Sequence, residues 1–322
     1  MKKVITYAFL VLLIICTISC TKRSSAQPKG SAQTQVQAQS QTTTQTTTQT
    51  STQASTQVQT PAQSYPQRIV ALSPSAGEIL FAVGAEDQIA AVSEFTDYPP
   101  EAASKPVVGG FDGKTLSMES ILGFKPDFLY LTDGMHNFLI EQLDSYGIKY
   151  YLSKGDSIKA VMQEILDVGV LTGHAEKAAE IVQDMTKKID GIKKTSSSLS
   201  SSSSSTSSPT LYYEVWNAPF MTAGSRSFIN DIILTSGAQN IFSDIDEAYP
   251  IVSEETIIAR QPEYILIPAS CGITVEAVKA RNGWASIPAV KNNKVFLIDD
   301  NVYTRPGPRV ADVVVELNAL LK

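Results

Sequence analysis

SMESILGFKPDFLYLT at 117–132 and SEETIIARQPEYILIP at 253–268 carry one pattern twice. Each reads Ser, any residue, Glu, any residue, Ile, and then, at the same spacing, Pro, an acid, an aromatic and an apolar run. A serine before a short apolar-periodic stretch marks a helix start, and its hydroxyl can take a free N–H of the first turn. The pairs Lys125-Pro126 and Gln261-Pro262 stop the helix, because the residue before a proline is pushed out of the helical region. The aromatic and apolar residues that follow read as a strand. A helix start, stop and strand repeated in this way predict two similar lobes.

Working outward, the apolar runs RIVALS (68–73), IAAVSE (89–94), FLYLTD (128–133) and KYYLS (149–153) alternate with helical patterns such as NFLIEQLDSYG. That alternation predicts an α/β lobe with a largely parallel sheet, here assigned to residues 67–157. Residues 158–195 form a proline-free connecting segment, read as two helices broken near Gly173, the second long and amphipathic. The serine-rich stretch 196–209 reads as a flexible, solvent-exposed insertion. A second lobe, 210–322, restarts the alternation with TLYYEVW (210–216), YILIPA (264–269) and KVFLID (294–299), and ends in the helix GPRVADVVVELNALL. The fold class is thus α/β, with two similar, mostly parallel lobes flanking one long connecting helix.

In open parallel sheets ligands sit outside the carboxyl ends of the strands, and lobe interfaces are favoured pocket sites. Two such lobes facing each other make a cleft. The stretch SEFTDYPPEAASKPVVGGFDG (93–113) leaves the strand IAAVSE and falls on the edge facing that cleft.

The amino terminus carries different information. MKKVITYAFLVLLIICTIS (1–19) has two lysines, an apolar run too short for a bilayer-spanning helix, and small residues before Cys20, which is a secretory signal pattern. Ser19-Cys20 resembles the lipobox of bacterial lipoproteins, although Thr17 stands where leucine is usual, and the resemblance implies lipidation of Cys20. Residues 20–66 form a Gln/Thr-rich tether, uncharged beyond residue 30 and too poor in apolar groups to build a core. As a flexible coil its repetitive part spans about 30–35 Å root mean square.

Composition excludes several function classes. A net charge of −6 opposes a nucleic-acid footprint. Two histidines and three cysteines with no CxxC pair make a clustered metal centre improbable. Only Cys271 remains in the folded part, where a buried inert thiol is the default. AGSRS lacks the spacing of a nucleophile elbow, and no phosphate loop or zinc-protease helix is present, so no covalent chemistry and no cofactor are expected.

RIVALSPSAGEILFAVGA, TDYPPEA, the two duplicated helices, APFMTAGSRSFINDIILTSGAQNIF and RPGPRVADVV together resemble the helical-backbone substrate-binding proteins of ABC importers, particularly the cobalamin and ferric-siderophore group. The resemblance covers the chain from Gln67 to Leu321. It implies two α/β lobes joined by that helix as one long rigid backbone, a ligand held between them, small hinge motion, and delivery to an ABC permease and, through it, an ATPase. Glu119 and Glu255, at matching positions of the repeat, fall where such proteins dock on permease arginines. The implied ligand is cobalamin, with ferric siderophore and haem as alternatives. The protein is expected to act as a monomer outside the cytoplasm, held to a membrane by Cys20.

Ser73, Ser75, Phe95, Tyr98, Phe111, His136, Trp216, Tyr249 and Tyr303 lie just after strand-like runs or in loops on the inferred cleft side. Together they would form an apolar slot with hydroxyl groups, suited to a broad, flat, mostly uncharged ligand. The resemblance places Tyr98 in the matching DYPP loop and puts Phe111 and Tyr249 where the cobalamin group tends to carry tryptophan. His136 could coordinate cobalt or iron, whereas His174 reads as structural. Arg305, with Arg309 and Arg226, could hold an anionic siderophore or haem propionate through charge-assisted bonds.

Overall fold

Ile69–Ala71 (β1), Ile89–Ser93 (β2), Val107–Gly109 (β3), Phe128–Thr132 (β4) and Lys149–Ser153 (β5) build the first sheet, in the order β3-β2-β1-β4-β5 with every pair parallel. A computed structural model describes residues 64–110, 115–200 and 208–322, with side chains in the last helical turns only to 192. The signal, Cys20, most of the tether and Phe111 lie outside the described residues.

The second sheet contains Thr210–Asn217 (β6), Phe220–Thr222 (β7), Gln239–Asn240 (β8), Tyr264–Pro268 (β9) and Val295–Ile298 (β10). Its order is β10-β9-β6-β7, with β8 also beside β6. Only β7 runs antiparallel, as the return arm of a tight hairpin from β6. The two-lobed, mostly parallel α/β architecture is the one the duplicated pattern predicts.

Helices Pro74–Val83 (α1), Met118–Gly123 (α2) and Ile140–Tyr146 (α3) belong to the first lobe. Ile158–Thr172 (α4) and Ala175–Ser200 (α5) follow, separated at Gly173, whose φ of 85° is a left-handed helix end. α5 continues through 196–200, the start of the stretch expected as a flexible insertion; serine tolerates helix when the preceding turns supply the nucleus. In the second lobe come Phe228–Thr235 (α6), Glu254–Arg260 (α7), Val275–Lys279 (α8), Pro288–Lys291 (α9), Asp300–Tyr303 (α10) and Val310–Leu320 (α11).

Strand alternation sorts the core into layers. Val70, Leu72, Leu129 and Leu131 face outward under α2 and α3, joining Ile121, Leu139 and Leu143. Ile69, Ala71, Phe128 and Tyr130 face the other way. In the second sheet Tyr212, Ile265 and Ile267 pack outward around Trp284, while Leu211, Tyr213, Tyr264 and Leu266 point inward. The two inward faces share one apolar cluster with α1, α4, α5, α6 and α11. Each fully buried Leu or Ile contributes about 1.5–3 kcal/mol, so a core common to both lobes resists their separation. α5 packs on α1, α4 and α11 through its buried stripe Ala178, Met185, Ile189 and Ile192.

The repeat is legible atom by atom. Ser117 Oγ accepts from Ser120 N at 3.1 Å, and Ser253 Oγ accepts from Thr256 N at 3.2 Å. Both helices end at a left-handed residue before the proline, Lys125 (φ 50°) and Gln261 (φ 48°). The acid after each proline then fixes the neighbouring strand. Asp127 accepts from Gln67 N and Arg68 N at 2.7 and 3.0 Å, and Glu263 accepts from Thr210 N at 2.8 Å.

Candidate binding cleft

The carboxyl ends of the two sheets are brought together by the segment that follows β10. Arg305 Nη1 donates to Asp97 Oδ1 at 2.6 Å, and its Nη2 donates to Phe95 O and Asn301 Oδ1, each at 3.0 Å. Arg309 grips α1 from the other lobe: Nε and Nη2 donate to Glu78 Oε1 and Oε2 at 2.9 and 2.7 Å. Glu78 is buried, and Gly307 passes so close that a Cβ there would lie 2.9 Å from Glu78 Oε1. Elsewhere on the lobe boundary, Asp231 of α6 accepts from Ile158 N at 2.7 Å, satisfying a free donor at the start of α4.

Four of the expected aromatics stand exposed on these edges: Phe95 at 64%, Tyr98 at 41%, Trp216 at 47% and Tyr249 at 47%. Phe95 follows β2 and adopts a left-handed backbone (φ 63°), a conformation uncommon for an aromatic. Tyr98 is stacked by Arg309, whose Cζ lies 3.9 Å from the ring centroid. Trp216 is the penultimate residue of β6, and its indole Nε1 donates to Ala218 O at 3.0 Å. Tyr249 precedes Pro250, whose carbonyl accepts from Thr222 N at 3.1 Å and so ties that loop to β7.

Other expected residues are placed differently. His136 is fully buried, and its Nδ1 accepts from Thr132 N at 2.9 Å, so the ring braces the turn after β4 away from the cleft surface. Tyr303 is buried in the shared core, and burial, with a hydrogen bond to Glu316, pushes its hydroxyl pKa up. Arg305 is committed to the other lobe through Asp97 and Phe95 rather than open to an anion. Ser73 caps α1, accepting from Ala76 N at 3.3 Å, and shares a 3.1 Å hydroxyl contact with Ser75; both are buried. Cys271 donates to Val215 O at 3.5 Å, and burial raises its thiol pKa, which keeps it protonated.

Sequence reading passed over Met135 and Phe138, which the turn around buried His136 leaves exposed beyond β4, and Ile251, exposed beside β7. The signal available was the composition of GMHNF after a strand: three large side chains in five residues cannot all turn inward.

Glu119 and Glu255 both occupy the second position of their helices and both are exposed. Hydrogen bonds from its own backbone N–H and from Ser253 hold the Glu255 carboxyl below its usual pKa. A hollow of about 560 Å³ lies behind Tyr98, between α1, α5 and the start of α11, and includes Phe81, Ile181 and Met185. It does not include Ser73, Phe95, Trp216 or Tyr249. The boundary between the carboxyl edges, not this hollow, is where open parallel sheets hold ligands.

Two α/β lobes over one shared helical layer, with aromatics left exposed on both lobes, are the arrangement of a bilobal substrate-binding protein. The chain belongs to the periplasmic binding protein family, whose model matches residues 69–302. A cobalamin-binding protein of Halobacterium salinarum is 27% identical over 260 residues, covering 77% of this chain and 68% of that one. An ABC transporter substrate-binding lipoprotein of Bacillus subtilis is 27% identical over 257 residues, covering 78% and 79%. The crystal structure of the periplasmic vitamin B12 binding protein BtuF of Vibrio cholerae superposes with a TM-score of 0.67 at 25% identity, covering 80% of this chain and 96% of that one.

Proposed function

We propose that the protein is the extracytoplasmic receptor of an ABC importer, capturing cobalamin or a related corrinoid between its lobes and delivering it to the permease. The observation that carries this reading is the exposure of Phe95 and Tyr98 on one lobe and of Trp216 and Tyr249 on the other. Large aromatics left in water on both lobes mark a surface meant to be covered, and their flat faces suit a macrocycle. The names carried by the Halobacterium and Vibrio relatives support the corrinoid assignment.

Glu119 and Glu255 are the docking points on the permease in this account: equal, exposed carboxylates, one per lobe, set the register of a partner bearing cations. Cys20 is the lipid anchor, a role supported by the lipoprotein name of the Bacillus relative. The protein performs no covalent chemistry.

Calorimetric titration with cyanocobalamin, cobinamide, ferric siderophores and haemin in parallel tests the reading. Tight one-to-one binding of a corrinoid is the expected result. Binding of an iron chelate alone would overturn the corrinoid assignment.

A further inference from the structure

The arginines along the lobe boundary all face the protein's own carboxylates. Arg305 lies 2.6 Å from Asp97, Arg309 holds Glu78 through two bonds of 2.9 and 2.7 Å, and Arg226 Nε stands 3.4 Å from Asp246. Resting on the reading that this cleft holds the ligand, we propose that it admits uncharged or net-positive ligands and rejects those bearing carboxylates.

The argument is one of compensation. A carboxylate leaving water loses several kcal/mol of hydration, which only a guanidinium or ammonium with free donors restores. Arg305 has its two terminal nitrogens engaged by Asp97, Phe95 O and Asn301, and it is largely buried. Arg309 is held by Glu78, by Asn301 O at 3.4 Å and by the face of Tyr98. Recruiting either one would break a bond that joins the lobes.

The remaining charge on the strand-end loops is mostly of the opposite sign. Glu94 after β2, Asp133 after β4, Asp156 after β5 and Asp299 after β10 are exposed. Lys154 is an exposed cation on the same edge, two positions before Asp156. An incoming propionate or citrate therefore meets mostly like charge, with only the solvent-exposed Lys154 and Arg226 to offset it, and like-charge juxtaposition rejects wrong partners. A macrocycle rimmed by amides brings only dipoles, and the aromatic faces of Tyr98 and Trp216 accept it without ionic compensation. The specificity resides in the pairing of Arg305 with Asp97 and of Arg309 with Glu78, at sequence separations of 208 and 231.

The test uses the full chain and two pairs of probes that differ in charge: cyanocobalamin against one of its monocarboxylic acid derivatives, and cationic ferrioxamine B against ferric citrate. The acid derivative should bind at least about tenfold more weakly at low salt, with the gap closing as screening rises. Asp97→Asn, which releases Arg305, should narrow the gap further. Equal or tighter binding of the acid derivative to the unmodified chain would overturn the proposal, whatever the variant does. Silence from both corrinoids with binding of ferrioxamine B but not ferric citrate would remove the corrinoid reading and leave the charge selection standing. Binding of ferric citrate alone would overturn both.

Discussion

Replacing Glu78 with glutamine removes one charge from the clasp between the lobes while keeping its volume. Glu78 is buried on α1 and accepts two charge-assisted bonds from Arg309 of the other lobe, at 2.9 and 2.7 Å. Without the carboxylate, Arg309 keeps Asn301 O at 3.4 Å and the ring of Tyr98, neither of which neutralises it. Breaking a buried pair costs about 3–5 kcal/mol because a charge is left uncompensated. The Arg309 side chain remains 20% exposed, so water reaches it and the lower end, about 3 kcal/mol, is expected. For a folded region of this size each kcal/mol lowers Tm by about 2–4 °C, giving a drop of about 6–12 °C. Calorimetric melts of Glu78→Gln, Arg309→Met and the double variant form the assay. The double should recover most of the loss, since removing both partners leaves no orphan charge. Additive losses in the double, or single losses below about 1 kcal/mol, would refute the reasoning.

Three other expectations follow from particular residues. Replacing Glu119 and Glu255 together with alanine should abolish ligand delivery in a reconstituted importer and leave calorimetric affinity unchanged; retained delivery would remove them as docking points. Gly77→Ala would place a Cβ 2.4 Å from Thr96 Cγ2, beneath the loop carrying Phe95 and Tyr98. Thr96 is buried and hydroxyl-bonded to Ser93 at 3.2 Å, so the overpacking should cost about 1–3 kcal/mol in thermal melts and weaken ligand binding. Glu164, buried between β4, β5 and α4, accepts from Tyr130 Oη and, at 2.7 Å, from Ser153, and burial raises its pKa above the usual 4.5. The folded chain thus holds that proton after the unfolded chain has released it. This contribution is present below the unfolded value and lost as pH rises through the folded one. Glu164→Gln should flatten that part of the stability curve, and an unchanged slope from acid to neutral pH would contradict it.

The two-lobe plan was readable because it rests on local chemistry: a serine cap, a proline stop and an acid that ties down the next strand, at one spacing in both lobes. The antiparallel β7 was not, since a three-residue strand after Ala218-Pro219 leaves no periodicity to read. The cleft was half readable. Phe95, Tyr98, Trp216 and Tyr249 stay exposed where strand-end position implied, but His136 and Tyr303 turned inward, because the direction of a side chain in a turn is set by backbone angles that composition does not specify. Arg305 and Arg309 looked like anion binders for want of their partners, which lie in the first lobe and are adjacent only after folding.

A crystal structure with bound cyanocobalamin is the most direct test of the central claim. The account predicts the macrocycle between the two lobes, touching Phe95 or Tyr98 on one side and Trp216 or Tyr249 on the other. A corrinoid seated in the hollow behind Tyr98, among Phe81, Ile181 and Met185, would contradict it.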